Sequence, residues 1–213
     1  MSEPAGFTLV PLECPTCGAA VEAEEEDVVY YCVACRNGYS FDEETTSLRP
    51  IEVAFVSAPH VPAERHVPFW ALEARVSILE RQASGGRPAE WLSRFFGSSS
   101  SRGDGDGAGD GRGVFVVPAF STSLDSTLEL TRRYTAAFPG LGEKLGEKLT
   151  GGCFGVEDAR KLTHFVVIAS HVERRDVLQV LRFEIDFGSV RLLGVPLVKD
   201  GNQWKDGLFG IAV

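Results

Sequence analysis

Apolar and polar residues alternate along much of this chain, and the breaks in that alternation mark its expected helices. Trp70, Leu72, Ala74, Val76 and Ile78 are apolar at every second position, with Glu73, Arg75 and Ser77 between them. A period of two suits a strand with one buried face. The same stretch also carries a helical stripe (Phe69, Leu72, Val76, Leu79), so Ala71–Arg81 can be read both ways, and the polar alternation favours the strand. Val114–Phe120 reads as a buried strand. Val177–Phe187 and Val190–Val198 read as a hairpin turning at Gly188-Ser189, and Leu208–Val213 as a last strand after the turn signal Lys199-Asp200-Gly201-Asn202. Ser123 can cap a helix over Leu124–Ala137 that stops ahead of Pro139. Val156, Ala159, Leu162, Phe165, Val166 and Ala169 predict a helix over Val156–Ala169. Pro88–Phe96 reads as a short helix ending at Gly97, and Leu-Gly-Glu-Lys at 141–144 recurs at 145–148 in a helical or turn-rich segment.

The expected fold class is α+β: a small antiparallel sheet packed with two or three helices on one face, with an N-terminal unit at its edge. Val67-Pro68, Val117-Pro118 and Val195-Pro196 each place a proline in an apolar run. Proline has no N–H to give a ladder, so each should lie at a strand end, edge or bulge. The Gly/Ser/Asp stretch at 97–113 has nothing to build a core with and reads as a flexible loop interrupting the domain at 57–213. Its Arg102-Gly103-Asp104 is a chance tripeptide. Asp104, Asp106 and Asp110 fall short of a Ca²⁺ loop because Phe115 stands where the bidentate Glu belongs.

The N-terminal unit, 1–56, carries the definite chemistry. Cys14-Pro15-Thr16-Cys17 and Cys32-Val33-Ala34-Cys35 are two C-x-x-C pairs, able to close into a tetrahedral S₄ cage suited to Zn²⁺ and less often to iron. Disulfides are the remaining use of such cysteines; no charged-then-apolar pattern follows Met1, so a reducing compartment and a metal are the expectation. Gly18 follows the first pair and Asn37-Gly38 the second, residues that tolerate the positive φ of a metal knuckle. With Tyr30-Tyr31 before the second pair and Gly38-Tyr39-Ser40-Phe41 after it, residues from about Leu12 to Phe55 resemble a four-cysteine zinc ribbon, with rubredoxin-like knuckles. Arg36 stands where a rubredoxin would carry its second glycine. The resemblance implies three short antiparallel strands near Thr8–Glu13, Val28–Cys32 and Leu48–Val56, with Cys14, Cys17, Cys32 and Cys35 as metal ligands. It names a scaffold used by many processes and implies no activity.

Charge narrows the partners. Residues 1–56 hold eleven acids against two bases, a net of −9 that equals the net charge of the whole 213-residue chain. Four thiolates around Zn²⁺ add a formal −2. Such a head repels a phosphate backbone, which demotes nucleic acid, and suits a basic protein partner or simply a solvated loop over Glu22–Asp27. No apolar run approaches the ~20 residues of a spanning helix, and the expected location is cytoplasmic.

Other candidates carry less. Cys153 lies in Gly151-Gly152-Cys153-Phe154-Gly155, a G-x-nucleophile-x-G pattern. His164 or His171 would have to serve as its base, with Asp158, Asp176 or Asp186 to orient it. The plainer reading is a small buried cysteine in a glycine loop. His60 and His66 around Glu64 do not make H-E-x-x-H, and His164 and His171 would be separated by ~10.5 Å of helical rise. The sequence therefore leans toward a non-catalytic zinc-ribbon subunit or adaptor for protein–protein interaction. A nucleic-acid-associated ribbon protein is the alternative, and a Cys153-dependent acyl or thiol transfer enzyme the second alternative.

Overall fold

The computed structural model describes residues 12–42, 45–58, 60–83, 109–142, 148–172 and 178–213. The expected helix at 88–96, most of the 97–113 stretch, the second Leu-Gly-Glu-Lys unit apart from Lys148, Asp176 and the start of the expected strand at 8–13 lie outside them.

Strands β1 (Val29–Cys32), β2 (Asn37–Asp42) and β3 (Ser47–Ile51) form a three-stranded antiparallel sheet in that order, the ribbon. Its middle strand, β2, is one the sequence pattern did not single out. The expected continuous strand Leu48–Val56 divides instead: β3 stays in the ribbon, while β4 (Val53–Val56) pairs parallel with a strand of the larger sheet. From the expected first strand, Glu13 remains as a single bridge to Ala20.

The body is a six-stranded sheet built on two long strands, β5 (Arg65–Ala83, 19 residues) and β8 (Leu178–Asp200, 23 residues). β6 (Gly109–Pro118) flanks β5. Beyond β8 lie β4 and β7 (Leu141–Gly142), with β9 (Gln203–Asp206) paired to the end of β8. The described residues hold two helices, α1 (Leu124–Ala136) and α2 (Val156–Val172). The expected α+β class is corrected: the protein is mostly β, organised by the two long strands.

Two features explain the difference. First, the predicted hairpin at Gly188-Ser189 does not turn. Ala74 pairs with Phe187 and Leu72 with Val190, so Gly188 and Ser189 together face Glu73 alone. The extra residue is absorbed as a β-bulge and β8 runs on. Second, the helices lie on opposite faces. Trp70, Leu72, Ala74, Val76, Phe115 and Leu192 pack with Ala159, Val166 and Val167 of α2. Phe69, Ala71, Val116, Leu193 and Val195 pack with Leu130 and Tyr134 of α1. Consecutive apolar residues on β5, β6 and β8 thus supply both faces of one sheet, and each needs its own cover.

Ser123 caps α1 as expected, its hydroxyl accepting the Ser126 amide at 3.1 Å. The final strand is β9, and Leu208–Val213 instead wraps around a buried carboxylate. Asp206 accepts the Tyr134 hydroxyl at 2.7 Å and the amides of Leu208, Phe209 and Ile211 at 2.7–3.1 Å. The three Val-Pro units meet in one zone: Phe69 faces Pro118, Pro68 faces Gly194 and His66 faces Pro196. Pro118 ends β6. Pro68 lies one residue past the β5–β6 ladder, and Pro196 between the β4 and β9 ladders on β8, so each has a strand on one side only.

Candidate metal centre

Each pair of cysteines sits on a tight backbone turn. In the first, the Gly18 amide donates to the Cys14 carbonyl at 2.8 Å and Gly18 takes φ +72°. In the second, the Arg36 amide donates to the Cys32 carbonyl at 2.7 Å, and Arg36 holds φ +60° at the position equivalent to Gly18. The missing second glycine therefore does not alter the knuckle. The first knuckle is closed further by Cys14 N–H to Ala19 at 2.8 Å, and the second leads directly into β2.

The two turns bring the four sulfurs of Cys14, Cys17, Cys32 and Cys35 within 4.8 Å of one another. Cys14 and Cys35 are 3.4 Å apart, Cys17 and Cys32 3.6 Å. A tetrahedral ion with metal–sulfur bonds of ~2.3 Å requires sulfurs about 3.8 Å apart. The donor set thus fits a metal ion of that type, and the spacing is that of free thiols. Cys14 and Cys32 are buried, Cys35 is half-buried and Cys17 is exposed, so the cluster reaches the surface on one side.

The surroundings do not treat the sulfurs alike. The Tyr39 hydroxyl lies between Thr16 Oγ1, at 2.7 Å, and Cys14 Sγ, at 3.2 Å, and Asn37 Nδ2 donates to Cys35 Sγ at 3.4 Å. Burial works against ionising Cys14, but the Tyr39 hydroxyl and the Cys17 and Thr16 amides outweigh it and hold the thiol down at about 6. Cys17 is pushed up to about 12: the Ala19 amide opposes the rise, and partial desolvation and the hydrogen bonds that its own S–H gives to the other three sulfurs produce it. Four crowded thiols cannot all ionise alone, and a cation among them removes that conflict. Tyr39 and Asn37 were not identified as site residues from the sequence. Their signal was their position immediately after the second pair, where a side chain can turn back to sulfur.

The remaining candidates are dispersed. Cys153 is half-buried, and burial, reinforced by the Glu26 and Asp27 carboxylates, pushes its thiol up, against the direction a nucleophile needs. Its loop is tied into the ribbon: the Val28 and Val29 amides donate to the Gly152 carbonyl at 2.7 and 2.9 Å, and Gly152 N–H donates to Val29 at 3.1 Å. A Cβ on Gly152 would fall 2.7 Å from the Ala119 carbonyl oxygen, so glycine is required by close packing. Asp158 caps the start of α2, accepting the Gly155 amide at 3.2 Å. His164 places Nδ1 2.9 Å from the Arg160 carbonyl, with its ring against Phe183 and Phe187. Asp186 lies on β8 opposite Arg75. His66 is buried with its ring edge-on to Phe55, and His60 is exposed. The side chain of His171 lies outside the described residues.

No family model, curated protein or solved structure matches this chain. Among the described residues, no helix is long and apolar enough to cross a membrane.

Proposed function

We propose that this protein is a zinc-ribbon adaptor: a non-catalytic subunit of a cytosolic assembly that offers its acidic head to a protein partner. The observation that carries the reading is the four-sulfur cluster itself. Four thiolates match the preference of Zn²⁺ and fill its coordination shell, leaving no position for a reacting ligand. Bound there, zinc would supply on the order of 10–16 kcal/mol of folding free energy to a unit with little apolar core. The head's surplus of carboxylates supports a basic partner over nucleic acid.

Metal analysis of purified protein is expected to find one zinc per chain. Cys17→Ser should lose that zinc and the partner together, whereas Cys153→Ser should keep both. A Cys17→Ser protein that still holds stoichiometric zinc, or captures its partner undiminished, overturns the reading.

A further inference from the structure

The two edges of β8 are not treated alike. On one, residues 178–197 pair with β5. On the other, among the described residues, β4 takes Leu192, Leu193 and Gly194, and β9 takes residues 197–200. Residues 180–190 have no strand on that second edge among the described residues. An unpaired edge presents N–H and C=O groups at every second residue, a template for another strand. The edge at β6 is closed differently, because its Val116 amide donates to Thr135 Oγ1 of α1 at 3.1 Å.

The side chains along this edge are incompletely covered too. Toward α2, Leu181, Phe183, Ile185 and Phe187 are half-buried, whereas Ala74, Val76 and Ile78 beside them on β5 are buried. Two residues of α2 cover the row in part. The Arg160 guanidinium lies 5.5 Å from the Phe187 ring centre, and the His164 ring 5.8 Å from Phe187 and 5.9 Å from Phe183. One turn further along α2, Ile168 is 42% exposed. The opposite face carries Arg182, Glu184 and Asp186, all exposed. Arg182 reaches Glu80 at 3.4 Å and still leaves 74% of its side chain in solvent.

We propose that this edge receives the same edge of a second copy, the two β8 strands pairing antiparallel about a twofold axis at Phe183 to make one continuous sheet. Charge selects both the occupant and the register. With the axis at Phe183, Arg182 of each copy stands opposite Glu184 of the other, and Leu181 opposite Ile185. An axis at Arg182 or Glu184 would set that residue against itself, and one at Ile185 would set Glu184 against Asp186. Arg182-Phe183-Glu184 is therefore self-complementary, as an isologous contact requires. The paired stretch also ends before the Gly188-Ser189 bulge, which would interrupt a ladder. Residues 57–213 bring no net charge to the contact, because the whole −9 of the chain resides in 1–56. An axis normal to the sheet places both α2 helices on one side, where Ile168 and the half-buried row of each copy gain cover.

The test is sedimentation velocity of the zinc-loaded full chain from about 1 to about 200 µM, where a monomer–dimer equilibrium with Kd on the order of 10 µM is expected. Arg182→Glu and Glu184→Arg each set like charges together twice per dimer and should weaken it about tenfold or more. The double variant Arg182→Glu/Glu184→Arg restores opposite charges and should return to within about threefold of the unaltered chain. Hydrogen exchange of the unaltered chain gives a readout that needs no variant to fold: every second amide over residues 180–186 should gain protection in step with the dimer, while α1 stays unchanged. A chain still monomeric at about 200 µM, with no concentration-dependent protection along β8, overturns the proposal and leaves the edge to a strand of another protein. A dimer indifferent to both single reversals puts the contact elsewhere and overturns it equally. Loss in both single variants without recovery in the double variant overturns the axis at Phe183.

Discussion

Arg36 carries a backbone conformation that glycine adopts freely and arginine does not. Left-handed geometry costs a residue with a Cβ about 1–2 kcal/mol, and the second knuckle keeps it because the turn must aim two sulfurs at one point. At this scale the sequence was a good guide to which cysteines come together and a poor one to what surrounds them. Tyr39→Phe tests the latter: losing the hydroxyl shared by Thr16 and Cys14 is expected to weaken metal affinity about tenfold, read by competition with a chelating dye, with the four ligands unchanged. Tyr134 makes a different prediction. Burial first, then the Asp206 charge and hydrogen bond, raise its phenol well above the ordinary value. A raised folded-state pKa gives stability that is complete below the unfolded pKa of ~10 and is lost as pH rises beyond it, since only the unfolded chain releases the proton. Urea melts between pH 8 and pH 11 should show an alkaline decline that Tyr134→Phe flattens. The variant should also cost about 1–3 kcal/mol at neutral pH by taking a donor from buried Asp206.

Among the elements, β8 departs furthest from the sequence reading. Its Gly188-Ser189 looked like a hairpin turn because glycine and serine interrupt an apolar alternation. An interruption of that kind also marks a bulge, and local sequence does not separate the two. What decides is the partner: β5 continues past Glu73 with its own alternation, so pairing resumes at Ala74 and Phe187. Deleting Ser189 should therefore be tolerated, within about 1 kcal/mol, because it removes the extra residue and leaves Phe187 and Val190 on their present face. Deleting Glu184 should be far more damaging, since a one-residue slip exchanges the two faces of a strand. Thermal melts of the two deletions make the comparison. The helices were easier to read, as Ser123 and the spacing along α2 show, but their opposite placement was not, because an apolar stripe says that a helix is covered and not by what.

Across the whole molecule, β1 is the joint. Tyr30 and Cys32 face the sulfur cluster, while Val29 and Tyr31 belong to the core shared with Phe55, Leu149 and α2. One strand of alternating faces therefore serves two cores, and the single bridge between Val29 and Gly152 fastens the Cys153 loop to the ribbon. Removing the metal should loosen both sides. Iodoacetamide is expected to label Cys153 slowly in the zinc-loaded protein and markedly faster after chelation, in step with loss of amide exchange protection over β1–β3, while β5 and α1 stay protected. Labelling of the four ligands with Cys153 unchanged would mean that the ribbon unfolds without opening the seam.

The amino-acid order by itself determined the chemistry that is local. Two cysteines three positions apart on a tight turn present both sulfurs to one side wherever the chain goes, and a period of two or of 3.6 states which faces need cover. Tertiary structure decided everything that depends on a partner distant in the chain: that Gly188-Ser189 bulges, that the sheet is covered on both sides, and that Tyr39 reaches Cys14. Those outcomes follow from long-range pairing and packing, which select among conformations that nearest neighbours leave nearly equal in energy.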